Sequence, residues 1–312
     1  MNFQQLRIIR ETVRQNFNLT DVANALFTSQ PGVSKHIKDL EDELGVELFI
    51  RRGKRLLGLT EPGKELVVIV ERMLLDARNI KKLADQFTQK DQGQLTIVTT
   101  HTQARYALPK VVTSFKQEYP KVHLALHQGS PQEIVQQLLS GEADIGIATE
   151  SLDTESELVT FPYYDWHHAV LVPAGHPLLD VQPLSLAALA EYPIVTYHTG
   201  FTGRSKIDRA FAEANLSPDI VMSALDADVI KSYVELGLGI GIIAPGAYNA
   251  AKDNDLRLIE APELFALNTT RIAVRRGHYL RGYAYRFIEL CAPLLTEANV
   301  RAAVSPQREA GF

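Results

Sequence analysis

The chain has 312 residues, of which 46% are hydrophobic and 22% charged, and its formal net charge is −5. This composition is near the average of globular proteins and argues against extensive disorder, collagen-like repeats and a disulfide scaffold. Its apolar runs are far shorter than the ~20 residues that span a bilayer, and its start shows no signal-peptide pattern. The single cysteine, Cys291, leaves no internal disulfide or cysteine-based zinc site. We therefore expect a cytoplasmic protein without a membrane segment.

The charge is unevenly distributed along the chain. Residues 1–90 contain 15 lysines and arginines against 12 aspartates and glutamates, a balance of +3. Residues 91–312 contain 17 against 25, a balance of −8. A basic first part joined to an acidic remainder favours a first part that meets a polyanion. A surplus of three positive charges also arises by chance. Whether the first part binds a polyanion therefore has to be judged from the order of its residues.

The first forty-five residues predict three helices. Apolar residues at helical spacing begin the chain with an amphipathic helix. A short helix at Val22–Leu26 and a longer one at Thr28–Leu44, with a hydroxyl cap and a proline in its first turn, then predict a helix-turn-helix. The second helix of this motif enters the major groove of DNA by its N-terminal end. The residues we expect at the DNA are Thr28, Ser29, Gln30, Pro31, Ser34, Lys35 and Lys38.

A glycine-centred basic turn follows the helix-turn-helix. The strand predicted at 48–50 leads into this turn, and a second short apolar segment leaves it. Alone, such a turn is more often a solvated loop, but directly behind a helix-turn-helix a wing over the flanking phosphates is the better interpretation. The wing residues are Arg51, Arg52, Lys54 and Arg55.

A long helical pattern runs from Glu61 to about Gln89. Its apolar stripe needs a partner surface, and a second copy of the chain is the economical choice because little else lies nearby in the sequence. We therefore expect residues 61–90 to form a linker helix that dimerises. The stripe consists of Leu66, Val67, Val70, Met73, Leu74, Ile80 and Leu83.

Strands and helices alternate from residue 91 onward, which predicts right-handed crossovers and mostly parallel sheets. The pattern restarts near residue 169, so we expect two α/β lobes joined by crossing strands around a cleft. Lobe I is predicted at about 91–163 and 268–295, and lobe II at about 164–267. The predicted strands are 94–100, 122–127, 143–149, 169–173, 194–197, 220–222, 239–243 and 271–275, and the last predicted helix is Tyr279–Leu295.

The loops after these strands carry hydroxyl and amide groups at 100–103, 128–130, 149 and 199–203. Ligands of open α/β folds lie at the carboxyl ends of strands, and N–H groups at helix N-termini suit a small anion. Each loop taken singly is explained by ordinary helix capping. Three such loops at one cleft favour binding of an anion or a small polar metabolite.

Patterns of catalysis are missing from the sequence. His101, His127, His167 and His168 have neither the HExxH spacing nor a paired cysteine. The glycines at 237–241 follow a helix and precede a strand, the reverse of the order that a phosphate loop requires. We expect no catalytic residue, no metal and no cofactor.

Several ordered motifs resemble LysR-type transcriptional regulators. In the first part these are Thr28 to Lys35, Leu40 to Gly45, Leu48-Phe49 and Leu59 to Gly63. Within that family, the remainder resembles the branch typified by CysB and Cbl, regulators of sulfur assimilation and cysteine biosynthesis. The matching segments are 99–106, 127–131, 141–144, 148–150, 199–205 and 226–231.

The resemblance implies three parts. They are a winged helix-turn-helix at 1–60, a linker helix at 61–90 and a two-lobed effector domain like the periplasmic binding proteins at 91–312. It also implies promoter DNA and RNA polymerase as partners, a homotetramer built as a dimer of dimers, and acetylserine, sulfate or thiosulfate as effector. The implied effector residues are Thr100, Thr102, Gln103, Thr149 and Thr202.

Two other classes of protein stay open at this point. A solute-binding protein for a small anion also has two lobes around a cleft, but the DNA-reading segment and the lack of a signal peptide disfavour it. An enzyme acting on the same metabolites lacks a nucleophile–base pair. Within the regulator class, the sequence does not separate a general cysteine regulator from a sulfonate or sulfate-ester specialist, or an activator from a repressor.

Overall fold

The computed structural model describes residues 1–53, 55–88 and 91–305. The chain divides into two compact units, Met1–Asp85 and Gln86–Phe312. Among the described residues, no helix is both long and apolar enough to cross a membrane.

The first unit contains α1 (Phe3–Arg14), α2 (Leu19–Ala25), α3 (Gln30–Leu44), β1 (Phe49–Arg52), β2 (Arg55–Leu59) and most of α4 (Glu61–Thr88). Short side chains fix the helix starts: Asn2 forms a capping box with Gln5, and Ser29 accepts a hydrogen bond from the N–H of Gly32 at 3.3 Å. Because Ser29 is the cap, α3 begins at Gln30, two residues later than predicted. Gly45, with φ 70°, ends it.

The beginning of α4 belongs to the core of the first unit. Val70 and Leu74 are buried there, and Leu66, Val67 and Met73 pack against the same core. The expectation that little else nearby in the chain covers this stripe is therefore wrong for 66–74. The start of α4 packs against this core because its backbone approaches Leu48 closely at Gly63. A Cβ on Gly63 would overlap the backbone of Leu48. The large apolar side chains of α4 that stay exposed are Val68, Ile69, Ile80, Leu83 and Phe87.

The second unit holds two lobes of alternating strands and helices. In chain order its elements are β3 (Gly93–Thr99), a π-helical turn (Gln103–Ala107), α5 (Leu108–Glu118), β4 (Val122–Gln128), α6 (Pro131–Ser140), β5 (Ile145–Ala148), β6 (Leu158–Trp166), β7 (Ala169–Pro173), a 3₁₀ turn (Pro177–Asp180), α7 (Leu186–Ala190), β8 (Ile194–Tyr197), α8 (Arg204–Glu213), β9 (Ile220–Ala224), α9 (Ala227–Glu235), β10 (Ile240–Ile243), a 3₁₀ turn (Pro245–Ala247), β11 (Leu256–Glu260), β12 (Asn268–Arg275), α10 (Gly282–Cys291) and α11 (Glu297–Val304).

Each lobe is built on a five-stranded sheet, with the orders β4-β3-β5-β12-β6 and β11-β7-β10-β8-β9. Within the described residues, each sheet has two parallel and two antiparallel strand pairs. The prediction of mostly parallel sheets is therefore wrong. The reason is that β6 leads directly from the first lobe into β7 of the second, and β12 returns, so these strands join their sheets without a crossover helix.

The sequence patterns missed two strands and one α-helix of this unit. They are β6, β11 and α11. The predicted last helix ends at Cys291 instead of Leu295, because Ala292 precedes Pro293 and is pushed out of the helical region. Thr296 then accepts a hydrogen bond from the N–H of Asn299 and begins α11. Val300 and Val304 of α11 pack into the core of the first lobe.

Candidate functional site

The N-terminal end of α3 presents the predicted DNA-reading residues to solvent. Thr28 and Ser29 precede the helix, and Gln30, Pro31, Lys35 and Lys38 lie exposed on its first turns. Ser34 is half-buried and accepts a hydrogen bond from the Gln30 amide at 3.3 Å. The arrangement offers hydroxyl, amide and ammonium groups to a base edge or a phosphate.

Phe27 lies beside this surface and is not among the residues predicted at the DNA. It is 98% exposed and has φ 50°, in the turn between α2 and α3. A bulky residue is uncommon in this left-handed region, and a fully exposed phenyl ring is unusual. The position of Phe27 in the turn of the helix-turn-helix was the sequence feature that could have indicated it.

The predicted wing is a β-hairpin, in which β1 and β2 pair antiparallel with Arg52 opposite Arg55. Both of these arginines are exposed. Arg51 is different, because its Nη2 lies 2.5 Å from Oε2 of the buried Glu41. Glu41 also accepts hydrogen bonds from the N–H groups of Leu48 and Phe49. The Arg51 guanidinium therefore balances a buried charge, while Lys54 lies outside the described residues.

Gln103 and Thr149 lie in the first lobe and contact the crossing strands. Gln103 is buried in the π-helical turn, and its Oε1 accepts a hydrogen bond from the Tyr164 hydroxyl at 2.7 Å. The hydroxyl of Thr149, after β5, lies 3.3 Å from that of Thr270, which also accepts from the Trp166 indole N–H. These two predicted effector residues therefore share a network with β6 and β12.

Thr100 and Thr102 follow β3 and are both buried. Thr102 contributes to a cavity of about 160 Å³, and its hydroxyl oxygen is buried without a hydrogen-bond partner in the described part of the chain. The other lining residues come from the π-helical turn, β6 and the start of the second 3₁₀ turn. They are Tyr106, Ala107, Tyr164, Trp166, Ala244, Pro245 and Gly246. The cavity therefore combines aromatic walls with one unsatisfied hydroxyl.

Thr202 is buried in the second lobe, in the loop before α8, with φ 43°. Its carbonyl lies 2.9 Å from Nε2 of His168, and Nδ1 of His168 lies 3.3 Å from the side-chain nitrogen of Asn268. This pairing fits a neutral imidazole with its proton on Nε2. Burial lowers the pKa of His168 to about 4, against the effect of the Thr202 carbonyl. The Thr202 loop is thus held by both segments that join the lobes.

Glu150 joins the Thr149 loop to the Thr202 loop. Its Oε1 accepts a hydrogen bond from the N–H of Gly203, the residue before α8. Burial raises the pKa of Glu150 to about 7, and the N–H groups of Gly203 and Thr202 and the charge of Lys206 oppose this rise. Glu150 is not among the predicted effector residues, although it directly follows Thr149. Its position after a buried strand was the available signal.

A second set of contacts between the lobes lies at Asp228 of α9. Its carboxylate accepts a hydrogen bond from the Tyr106 hydroxyl at 2.6 Å, and His101 Nε2 lies 3.1 Å away. Partial burial acts to raise the pKa of Asp228, but the hydrogen bonds from Tyr106 and His101 keep it below its ordinary value. His101, Asp226 and Asp228 have possible ligand atoms within 4.8 Å of one another. Since Asp228 already pairs with these donors, we assign the set to lobe contact.

The fold and the two sites define a DNA-binding protein with a ligand domain. Residues 3–64 match the bacterial regulatory helix-turn-helix protein, lysR family, and residues 88–295 match the LysR substrate binding domain. The chain belongs to the LysR family of transcriptional regulators, and its function is regulation of transcription rather than catalysis. The predicted family and fold class are confirmed.

Curated relatives place the chain within this family. It is 61% identical to the HTH-type transcriptional regulator SsuR of Burkholderia cenocepacia, over 96% of this chain and 97% of that protein. It is 54% identical to the regulator Cbl of Escherichia coli K12, over 99% and 98%, and 52% identical to CysB of B. cenocepacia, over 99% of each. The predicted CysB and Cbl branch is therefore confirmed.

A solved structure of a relative covers the second unit. It is the crystal structure of the cofactor-binding domain of the Cbl transcriptional regulator, with a TM-score of 0.66 and 48% sequence identity. The match covers 68% of this chain and 93% of that one. The two-lobed fold of the second unit is thus that of a LysR ligand domain.

Proposed function

We propose that this regulator controls genes of sulfur assimilation and cysteine biosynthesis, and that a small metabolite or anion of sulfur metabolism binds between its two lobes. The candidates are acetylserine, sulfate and thiosulfate. The observation that carries the proposal is the buried, unpartnered hydroxyl of Thr102 beside a cavity between the lobes, within the described part of the chain. A buried polar atom without a partner is costly unless a ligand or water satisfies it. The proposed effector residues are Thr100, Thr102, Gln103, Thr149 and Thr202.

The parts of the chain divide the work. Residues 1–60 read promoter DNA through the start of α3 and the wing, residues 61–90 link and dimerise through the exposed stripe of α4, and residues 91–312 sense the effector. The functional assembly is a cytoplasmic homotetramer, a dimer of dimers that contacts RNA polymerase and activates transcription. Effector binding changes the spacing of paired DNA-binding domains, which requires a ligand with different affinity for two arrangements of the assembly.

A specialist for sulfonates or sulfate esters is the second candidate. B. cenocepacia has both SsuR and CysB, and the chain is 61% identical to the first and 52% identical to the second. The chain is therefore nearer to a paralogue of CysB than to CysB itself, which favours a narrower role. A solute-binding protein, which the sequence left open, is excluded by membership of the LysR family.

Ligand-induced thermal shifts test the sensing part. The full chain is heated with O-acetylserine, N-acetylserine, sulfate, thiosulfate or an alkanesulfonate, and a bound ligand raises the melting temperature by mass action. We expect at least one of these compounds to stabilise the wild type and to have a weaker effect on Thr102→Val. Unchanged melting with every compound at millimolar concentration would contradict effector sensing. A preference for the alkanesulfonate would select the specialist.

A further inference from the structure

We propose that Asp228 is the centre of a latch between the lobes, formed with Tyr106, His101 and Arg105, which holds the lobes together before a ligand binds. The inference rests on the proposed function only in assigning the cavity beside Tyr106 to an effector. It goes beyond that function because Asp228 is not a proposed effector residue. Asp228 acts through Tyr106, as a positioning residue for one wall of the cavity.

The first lobe reaches Asp228 through three side chains. The Tyr106 hydroxyl donates to Oδ1 of Asp228 at 2.6 Å, and a hydrogen bond to an ionised carboxylate is among the stronger ones in proteins. At the other carboxylate oxygen, Oδ2, Nε2 of His101 lies 3.1 Å away and Nε of Arg105 lies 3.5 Å away. Burial and the bond to Asp228 raise the pKa of Tyr106, so its hydroxyl keeps the proton that it donates. Each oxygen of the carboxylate therefore has a partner in the first lobe.

Asp228 is held in place within the second lobe. It lies in the first turn of α9, where the N–H groups of the helix favour a negative charge. Nζ of Lys231, which follows on the same face of α9, lies 3.5 Å from Oδ1 of Asp228. Lys231 is itself fixed by the Asp253 carboxylate and the Ala247 carbonyl, each at 3.1 Å. The carboxylate is thus oriented independently of the first lobe, which lowers the entropic cost of the contact.

Tyr106 connects the latch to the cavity. It lines the cavity of about 160 Å³ together with Thr102 and Trp166. Tyr106 also packs against an apolar core of the second lobe, and Nζ of Lys231 lies 5.4 Å from the centre of its ring. A tyrosine of the first lobe is therefore seated in the second lobe, and the shape of the cavity depends on its position. Release of the hydroxyl from Asp228 frees the ring to leave the cavity wall.

The latch needs no ligand, because all of its members belong to the chain. A closed arrangement of the lobes that exists without a ligand is one that the ligand can select. Loss of one hydrogen bond to a charged group should shift the balance between closed and separated lobes by about tenfold. If only the closed arrangement binds, the apparent affinity for a ligand falls in proportion to the closed fraction.

The fluorescence of Trp166 tests the latch without a ligand. Trp166 is the chain's single tryptophan, is 8% exposed and lines the cavity. In the full chain, Asp228→Ala should raise the constant for quenching by acrylamide about twofold or more, because the fraction with separated lobes grows. Asp228→Asn should lie between this variant and the wild type, because its amide oxygen still accepts from Tyr106. Glu235→Gln, exposed at the end of α9, is the matched control and should equal the wild type.

Tyr106→Phe separates the latch from a general loss of packing. It keeps the ring and removes only the hydroxyl that donates to Asp228. Quenching of Trp166 should rise in this variant too. The double variant Tyr106→Phe/Asp228→Ala should equal Asp228→Ala alone, because both changes break the same bond. If Asp228→Ala does not fold, Tyr106→Phe decides the matter.

The latch and the proposed function can fail separately. Equal quenching in the wild type, Asp228→Ala and Tyr106→Phe, or additive increases in the double variant, overturns the latch and leaves the proposed function standing. In calorimetric titration, Asp228→Ala should bind N-acetylserine about tenfold more weakly than the wild type. Equal affinity of the two proteins overturns the positioning role of Asp228. If N-acetylserine does not bind the wild type at millimolar concentration, the result counts against the proposed function, and the quenching measurements still decide the latch.

Discussion

The backbone N–H of Gly203 in the second lobe donates to the carboxylate of Glu150 in the first. Glu150 follows Thr149, and Gly203 follows Thr202, so one hydrogen bond brings together two residues that the family resemblance assigns to the effector site. The bond is partly buried and involves a helix N-terminus, where a carboxylate is favourable. A ligand that enters between these two loops must either leave the hydrogen bond between Gly203 and Glu150 in place or replace it with its own contacts.

The division of labour between the two units is tested by a pair of substitutions. Thr202→Ala should weaken effector binding and leave DNA affinity largely intact, because Thr202 is a proposed effector residue that is buried in the second lobe. Lys35→Ala should lower DNA affinity, by about 1–3 kcal/mol, and leave effector binding intact, because Lys35 lies exposed on α3. Fluorescence anisotropy with promoter DNA and calorimetry with effector measure the two functions. Equal loss of both functions in either variant would contradict the division.

The arginines of the wing should fall into two groups. Arg51→Ala leaves the buried Glu41 without its counter-charge and should lower the free energy of unfolding by about 1–2 kcal/mol. Arg52→Ala and Arg55→Ala, both at exposed positions, should weaken DNA binding without changing the melting temperature. Calorimetry and anisotropy on the three variants check this. An unchanged melting temperature for Arg51→Ala would show that the pair with Glu41 does not contribute to stability.

The exposed part of α4 should mediate self-association. Ile80 is 69% exposed, and we expect Ile80→Glu to weaken dimerisation because it places a charge in an apolar contact. Sedimentation at several protein concentrations measures the association, and Lys81→Gln, an exposed neighbour, is the control. The same oligomeric state for Ile80→Glu and the wild type would place the interface elsewhere.

The buried His168 should make stability fall in acid. Its pKa is lowered to about 4 in the folded state, so its contribution is present above the unfolded value of about 6.5 and is lost as pH falls through about 4. Glu150 acts in the opposite sense, because its raised pKa gives stability that is present below about 4.5 and lost as pH rises through about 7.

Because these two trends oppose each other, the measurement uses Glu150→Gln as the background. In it, the free energy of unfolding should fall by on the order of 3 kcal/mol between pH 7 and pH 4 through His168 alone. The double variant Glu150→Gln/His168→Gln should lack this part of the fall, whereas His123→Gln on the exposed side of β4 should retain it. Parallel pH profiles for the single and double variants would contradict the assignment. Urea denaturation at each pH provides the free energies.

Helix starts were predictable because their hydrogen bonds are local. Ser130 and Glu133 form the reciprocal capping box expected from their spacing, and Asp226 accepts from the N–H of Val229 at 3.0 Å. Such signals lie within four residues and need no knowledge of the tertiary fold. The threonines of the cleft came from the family resemblance, and residue periodicity by itself gave only polar loops after strands.

The missed features depend on contacts distant in the sequence. Strand β6 pairs with β12, about a hundred residues further on, and its mixture of apolar and polar residues gives no clean alternation. The stripe of α4 is covered by a core that forms only after α1–α3 have packed. Glu150 meets Gly203 across 53 residues, so its position after a buried strand could mark it as a candidate but could not predict this partner.

We propose that a ligand bound between the lobes controls the affinity of this regulator for DNA. The most direct measurement is the dissociation constant for a labelled promoter fragment of a sulfur-assimilation gene, at fixed salt, with and without saturating N-acetylserine, sulfate or thiosulfate. We predict that at least one of these ligands changes the constant by about fivefold or more, and that Thr102→Val reduces the change. The same constant with and without every ligand, in a protein that binds the fragment, would contradict the account.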